Sequence, residues 1–539
     1  MDDLTKTVIG KDIIESLTLG MYEDARIIYR EYIQNSADQI DKALKLGILE
    51  SIADGNIWID IDRDKKHIVI EDNATGIHSQ EAISILKNIA QSTKQRGIDK
   101  GFRGIGRLGG LAYCEKLTFE TSYKGESVKT IVKWDAKKLK FIINNRNTKE
   151  TASEVIDEIT EIYQESEQQE KHYFKVTLDN VSNISLLEVK ELRDYLSMVA
   201  PTSLHPRFTL LSKIHGYLHD NNIILDEYKI SVNSDELSKA YTTKIYEFSG
   251  NDKKTIDEIK DIIFFERKSE KDGNLLLWGW YGVWSFSKQI PDKANPARGF
   301  RLRKSNIQIG DEYCLVKLHK EPRGNFYYFG EVHAVHPELI PNARRDYFLE
   351  NECLEEFENY LKEYFKKLYD AYHLSSKIRS AQRDISKLND INKQIKEKEK
   401  KGYASHEEKE KLEKEQQEQL EKAEKARKDL QKYSENSKEN EINNRVFSEL
   451  TKDKDTPKKT SNLSTNIQVP IEIGNYEPPF KKNKLKIIFI DDNTLPRQSK
   501  EERKLIKKVY DVIAKNIPDK AMVENIRLKI IDEFNKGKS

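Results

Sequence analysis

Residues 31–38 read Glu-Tyr-Ile-Gln-Asn-Ser-Ala-Asp, and no other stretch of the chain narrows the choice of fold so much. On an α-helix, Glu31, Asn35 and Asp38 fall at i, i+4 and i+7 and form one stripe. A carboxylate on such a stripe can hold an attacking water, and an amide oxygen is a hard ligand for Mg²⁺. A helix that merely faces water shows the same charged stripe. The segments downstream separate the two readings.

Ile57, Ile59 and Ile61 alternate with Trp58, Asp60 and Asp62, the period of a half-buried strand. A polar turn over 63–66 leads to a second strand, His67 to Glu71, and then to Asp72-Asn73-Ala74-Thr75-Gly76-Ile77. An acid at a strand end followed by small residues lets a ligand approach the backbone. A buried carboxylate there can accept a hydrogen bond from an exocyclic amine such as that of adenine; an ordinary Asp-Asn turn has the same residues. Further on, Gly101-Phe102-Arg103-Gly104-Ile105-Gly106 runs into the apolar stretch Leu108 to Tyr113, with Ser92 and Lys94 upstream. A glycine loop opening a helix presents free N–H groups to phosphates, and a hydroxyl and an ammonium can add to them.

These three elements, in this order, resemble the ATP-binding fold shared by gyrase B, Hsp90, histidine kinases and MutL. Tyr22 through Lys42 resembles the first long helix of Hsp90, Asp72 to Gly76 the Asp-x-Gly-x-Gly motif, and Gly101 to Gly106 the second glycine box, close to its MutL form. The resemblance implies ATP and Mg²⁺ as cofactors. It implies Glu31 as general base, Asn35 as the Mg²⁺ ligand, and Asp72 as the reader of adenine, supported by Asp38. It further implies Gly76 at the base, and Gly101, Gly104 and Gly106 at the phosphates, beside the Ser92 and Lys94 read from their position. Two departures stand out: Ala74 replaces the first motif glycine, and His172-Tyr173 occupies the place of the usual Gly-Thr pair. No histidine precedes the first helix, which disfavours the histidine-kinase branch.

The expected fold class is α/β: a Bergerat-type α/β sandwich over 1–200, an S5-like α/β domain over 201–350, a helical hairpin or coiled-coil arm over 351–435, a linker over 436–480, and a small C-terminal α/β domain over 481–539. In the family, the second domain returns one basic residue to the γ-phosphate. Ile340-Pro341-Asn342-Ala343-Arg344-Arg345-Asp346 resembles the Hsp90 segment that does so, leaving Arg344 and Arg345 both open; Arg301, Arg303 and Lys304 form a rival run. Arginine suits the task because its planar fork grips phosphate oxygens.

In the arm, Ile378, Ala381, Ile385, Leu388, Asn392 and Ile395 keep a 3–4 spacing with one polar position, the pattern of a coiled-coil seam. Gly402 breaks it, Ser405 to Glu408 reads as a capping box, and Leu412, Leu420, Ala423 and Leu430 continue a thinner seam. A single solvated charged helix or a partly disordered linker is the alternative.

A net charge of +1 with 34% charged residues neither supports nor excludes nucleic acid. The three cysteines are far apart, no Cys/His spacing suggests a zinc finger, and the pattern fits a reducing cytosol. No apolar run is long enough to span a membrane, so a cytoplasmic protein is expected. The expected function is an ATP-operated, dimerising clamp with slow hydrolysis, Hsp90-like in remodelling a protein partner. The alternatives are a DNA-clamping ATPase of the MutL or MORC type and a nucleotide-sensing subunit of an antiviral or regulatory complex.

Overall fold

The computed structural model describes residues 7–18, 20, 24–89, 104–438, 441–451 and 529. The first layer is an eight-stranded sheet, with strands β1 (Asn56–Asp62), β2 (His67–Asp72), β3 (Lys116–Ser122), β4 (Val128–Asp135), β5 (Thr160–Ser166), β6 (Tyr173–Asp179), β7 (Lys229–Val232) and β8 (Asp235–Glu236) in the order β5-β4-β3-β6-β2-β1-β7-β8. Ile59 pairs with Ile70 and Ile61 with Ile68, so the isoleucines of the hairpin all point to one face. That face meets helices; the other carries Trp58 and Asp60 towards water. β7 joins β1 in parallel, so the first sheet draws its last strands from beyond residue 200, the boundary read from the sequence.

Helices α1 (Asp12–Thr18), α2 (Ile27–Lys45), α3 (Ser79–Lys87), α4 (Ala136–Asn144), α5 (Ala152–Ile159) and α6 (Val189–Val199) accompany this sheet. Helix α2 is a core element: Ile28, Ala37 and Ile40 share one hydrophobic cluster with Ile57, Ile59, Ile70 and Phe119. It ends because Gly47 turns left-handed at φ 67°. The Gly47 amide then bonds the Leu44 carbonyl and the Ile48 amide bonds Ala43, which satisfies two of the last carbonyls.

After α7 (Leu211–Asp220), the chain forms a hairpin, β9 (Lys244–Ser249) with β10 (Asp252–Glu258). A second sheet follows, from β11 (Asp261–Lys268), β12 (Leu275–Val283), β13 (Gly299–Lys304), β14 (Ile307–Gln308) and β15 (Phe329–Ala334), in the order β11-β12-β15-β13-β14. Strand β12 is buried along nearly its whole length, as its Leu, Trp and Tyr content implies. A dry polar joint ties this sheet to the first domain. Arg303 donates to the Met198 carbonyl at 2.9 Å, and Asn306 to the Asp226 carbonyl at 2.6 Å. Glu331 accepts from Arg303, from Lys239 at 3.2 Å and faces His333 at 3.0 Å. Burial pushes the Glu331 carboxyl up, but Arg303 and Lys239 beside it prevail and hold it well below the usual carboxylate range.

Helix α8 (Glu352–Lys401) begins inside the second core, burying Phe357, Leu361, Phe365 and Leu368, and then runs out as one arm of a hairpin with α9 (His406–Ser437). Gly402 at φ 92° ends α8, and the Ser405 hydroxyl caps α9 by accepting from the Glu408 amide at 3.1 Å. The capping box is half made, because the Glu408 carboxylate takes the Ala404 amide rather than that of Ser405. In the seam, Asn392 accepts from Gln416 at 2.7 Å, and Ile378, Ala381, Leu388 and Ala423 are buried. Leu420 is 42% exposed, however, and Gln419 takes the inward position, bonding the Asp384 carbonyl. One further correction concerns 436–451, read from the sequence as linker. Helix α9 continues to Ser437, and α10 (Glu441–Thr451) lays Ile442, Val446 and Leu450 onto the second core. The 4-residue spacing of those three apolar residues was hidden among Ser, Asn and Lys. The expected C-terminal domain at 481–539 lies outside the described residues, save Lys529.

Candidate active site

Helix α2 presents Glu31 and Asp38 from one face, at 7% and 8% exposure, with Asn35 partly buried between them. Such burial is incompatible with a merely solvated stripe, because ionisable side chains leave water only where partners compensate them. Glu31 has such partners. Arg345 Nε lies 2.8 Å from Glu31 Oε1, and Arg30 contributes a second guanidinium at 3.8 Å. Arg30 in turn donates to the Arg344 carbonyl at 3.3 Å. The Arg344 side chain is exposed, so of the two arginines open in the sequence it is Arg345 that faces helix α2. Arg345 adopts φ 56°, a left-handed conformation that is strained for a residue other than glycine. The rival basic run is used elsewhere: Arg301 pairs with Glu312, Arg303 with Glu331, and Lys304 donates to the Val335 and His336 carbonyls.

Gly106 closes the other side of Glu31. A Cβ at this position would stand 2.3 Å from Glu31 Oε2, so only glycine lets the loop backbone rest against the carboxylate. Gly104 takes φ 70° just before it. Two residues that the sequence reading missed anchor this loop. Tyr32 Oη donates to the Arg107 carbonyl at 2.9 Å and accepts from the Gly110 amide at 3.2 Å. Arg107 donates to the Gly104 carbonyl at 2.7 Å and to Asn88, and burial lowers its guanidinium to about 10. Ser92, Lys94 and Gly101 lie outside the described residues.

Asp72 ends β2 at 1% exposure. Its Oδ1 accepts from the Ala74 amide at 3.1 Å, while Oδ2 has no hydrogen-bond partner. Burial pushes the carboxyl up to about 7, against the opposing pull of the Ser36 hydroxyl and the Ala74 amide. Gly76, at φ 64°, sits so close to β3 that a Cβ would meet the Ser122 carbonyl oxygen at 1.9 Å. The methyl group of Ala74 packs into the first core. At the second departure, His172 Nδ1 bonds the Ala74 carbonyl at 2.7 Å. The hydroxyls beside the turn come instead from Thr121, which accepts from the Ile77 amide at 2.9 Å, and Thr75, which bonds Gln39 at 2.7 Å. The Thr121 contact was invisible in the sequence because β3 reaches the turn only through the sheet, with β6 between it and β2.

An unsatisfied, buried carboxylate oxygen costs free energy unless a ligand donor reaches it. Together with a glycine backbone laid against an acid, it fits a purine nucleotide. The first sheet and the residues gathered on it are those of a GHKL-type ATPase domain. Residues 28–168 match the family described as histidine kinase-, DNA gyrase B- and HSP90-like ATPase. Chaperone protein HtpG of Coxiella burnetii is 29% identical over 143 residues, 23% of this chain and 23% of that protein. HtpG of Acinetobacter baylyi is 30% identical over 139 residues, 23% and 22% of the two chains, and HtpG of Psychrobacter arcticus 26% over 174 residues, 29% and 26%. The likeness thus spans about a quarter of the length of these curated relatives. Among the described residues, no helix is long and apolar enough to cross a membrane.

Proposed function

We propose that the chain is an ATP-hydrolysing clamp in which the second sheet domain, an S5-like transducer, controls the catalytic acid of the first. The 2.8 Å contact between Arg345 and Glu31 carries this reading, since it joins a residue beyond the second sheet to the helix of the first. A bound nucleoside triphosphate with Mg²⁺ supplies the phosphoanhydride bond that is broken. Glu31 orients a water and takes its proton, Asn35 offers its amide oxygen to the cation, and Asp72 Oδ2 accepts a hydrogen bond from the purine amino group. Gly104 and Gly106 keep backbone N–H groups free for phosphate oxygens. Arg345 is released towards phosphate when Glu31 gives it up, and the angle between the two sheets follows. Two protomers close together, and the occupant is a protein, as the names of the HtpG relatives suggest.

The long α8–α9 hairpin favours a second reading, a clamp on duplex DNA, because an arm of this length can pass around a rod-like partner. Steady-state ATPase assays separate them. Stimulation by an unfolded protein with none by duplex DNA supports the first reading. Stimulation by DNA that fades steeply with salt replaces it with the second. Turnover that survives Glu31→Ala unchanged defeats both.

A further inference from the structure

Outside the nucleotide pocket, the second domain brings together three side chains with metal-ligating atoms. A nitrogen of His336, the thiol sulfur of Cys353 and a carboxylate oxygen of Glu338 all lie within 4.8 Å of one another. His336 and Cys353 are buried and Glu338 is exposed. We propose that they form a site for a thiolate-preferring divalent metal ion, Zn²⁺ in chemical class, which staples the start of α8 to the end of the second sheet.

The distances fit. Cys353 Sγ stands 3.3 Å from His336 Nδ1. Ligands bound to one zinc at about 2.3 Å (sulfur) and 2.0 Å (nitrogen), at a tetrahedral angle, are ~3.5 Å apart. The imidazole is also held in the tautomer that binding needs. Nε2 faces Asp272 Oδ2 at 3.0 Å, while Nδ1 accepts from the Glu338 amide at 3.3 Å. The proton therefore sits on Nε2, and the Nδ1 lone pair, 3.3 Å from the thiol sulfur, turns from the Glu338 amide to the ion on binding. A carboxylate behind a ligating histidine is the usual way such a ring is oriented. Glu338 is the adjustable third ligand, pairing with Lys271 only at 3.6 Å, and water takes the fourth position. Lys304 Nζ is engaged by the Val335 and His336 carbonyls and offers no lone pair to the ion. A nucleophilic role for Cys353 is disfavoured by its 5% exposure, which leaves no room for a substrate.

The site's position gives it a consequence. His336 and Cys353 bracket the loop that carries Arg344 and Arg345, so a metal bridge fixes both ends of the segment that reaches Glu31. The inference does not depend on nucleotide hydrolysis.

The test uses the full chain, reduced, chelator-treated and free of nucleotide. Titrated with Co²⁺, it should develop a thiolate-to-cobalt charge-transfer band that saturates at one equivalent and is bleached by Zn²⁺. Cys353→Ser and His336→Ala should abolish the band, whereas the Cys114→Ser/Cys314→Ser double variant should keep it. Glu338→Gln, on an exposed residue that does not threaten folding, should weaken binding at least tenfold. Zn²⁺ should also slow amide hydrogen exchange across residues 340–350. A wild-type protein with no band, a band that survives Cys353→Ser, or exchange in that loop unmoved by Zn²⁺ would overturn the proposal.

Discussion

Arg345 Nε and Glu31 Oε1 stand 2.8 Å apart, with their side chains only 10% and 9% exposed. Such a pair is a weak source of net stability. Removing one partner strands the other in a dry site, while exchanging the pair for apolar residues often costs little.

Arg345→Ala should therefore lower ATP turnover by about tenfold or more while leaving ADP affinity within about threefold. Arg344→Ala should behave as wild type, since that side chain is exposed. Steady-state kinetics alongside calorimetric titration of ADP checks both. Equal effects from the two substitutions would remove Arg345 from its assigned place.

Gly106→Ala places a methyl group 2.3 Å from Glu31 Oε2. The carboxylate is the free end of a side chain and can yield, so the fold should survive with little change in melting temperature. Turnover should fall by roughly tenfold or more as the acid loses its position. Gly216→Ala is the control: a Cβ there meets nothing within 4 Å, and helix α7 should gain ~0.5–1 kcal/mol.

Asp72 makes a pH prediction whose sign is fixed. Its folded carboxyl is pushed up to about 7, above the 3.8 of an ordinary aspartate, so the folded state binds more protons between these values. This contribution to stability is full below pH ~4 and is lost as pH rises through ~7. Asp72→Asn should flatten that slope, raise the melting temperature of the nucleotide-free protein at pH 8, and abolish ATP binding. Thermal scans from pH 5 to 8 with and without ATP test all three; wild-type ATP affinity in the variant would refute the adenine contact.

The arm offers a register test. Leu420→Lys should be nearly neutral, within about 0.5 kcal/mol, because residue 420 is 42% exposed. Ala423→Asp should unzip the hairpin, since Ala423 is fully buried against α8 and an unpaired carboxylate there costs several kcal/mol. Circular dichroism during urea unfolding distinguishes the two.

Glu331→Gln leaves Arg303 and Lys239 buried with less than the charge they need. A loss of about 3–5 kcal/mol is expected in denaturant unfolding, far above that of an exposed pair such as Lys65–Asp62.

Local patterns were legible in the chain because their causes are local. The isoleucine alternation of β1, the acid–amide–acid spacing of α2, the glycine-rich loop and the Gly402 break each follow from the period of one element or the conformational freedom of one residue. They were enough to reach the ATPase fold and a helical hairpin. The arm's second seam was misread at Leu420 because a thin apolar pattern on a charged helix does not fix which residue faces inward until the partner helix is in place. The α10 docking was missed for the same reason.

What the sequence by itself determined is the type of element at each position and the chemistry each can carry: a helix with Glu31 and Asn35 on one face, a strand ending in Asp72, a glycine backbone around 104–106. Tertiary structure alone decided that Arg345 and not Arg344 meets Glu31, that Arg303 serves the interdomain joint, and that Cys353 faces His336. These are contacts between residues distant in the chain. Hydrophobic periodicity places a residue on a face, but only the packing of one face against another selects its partner.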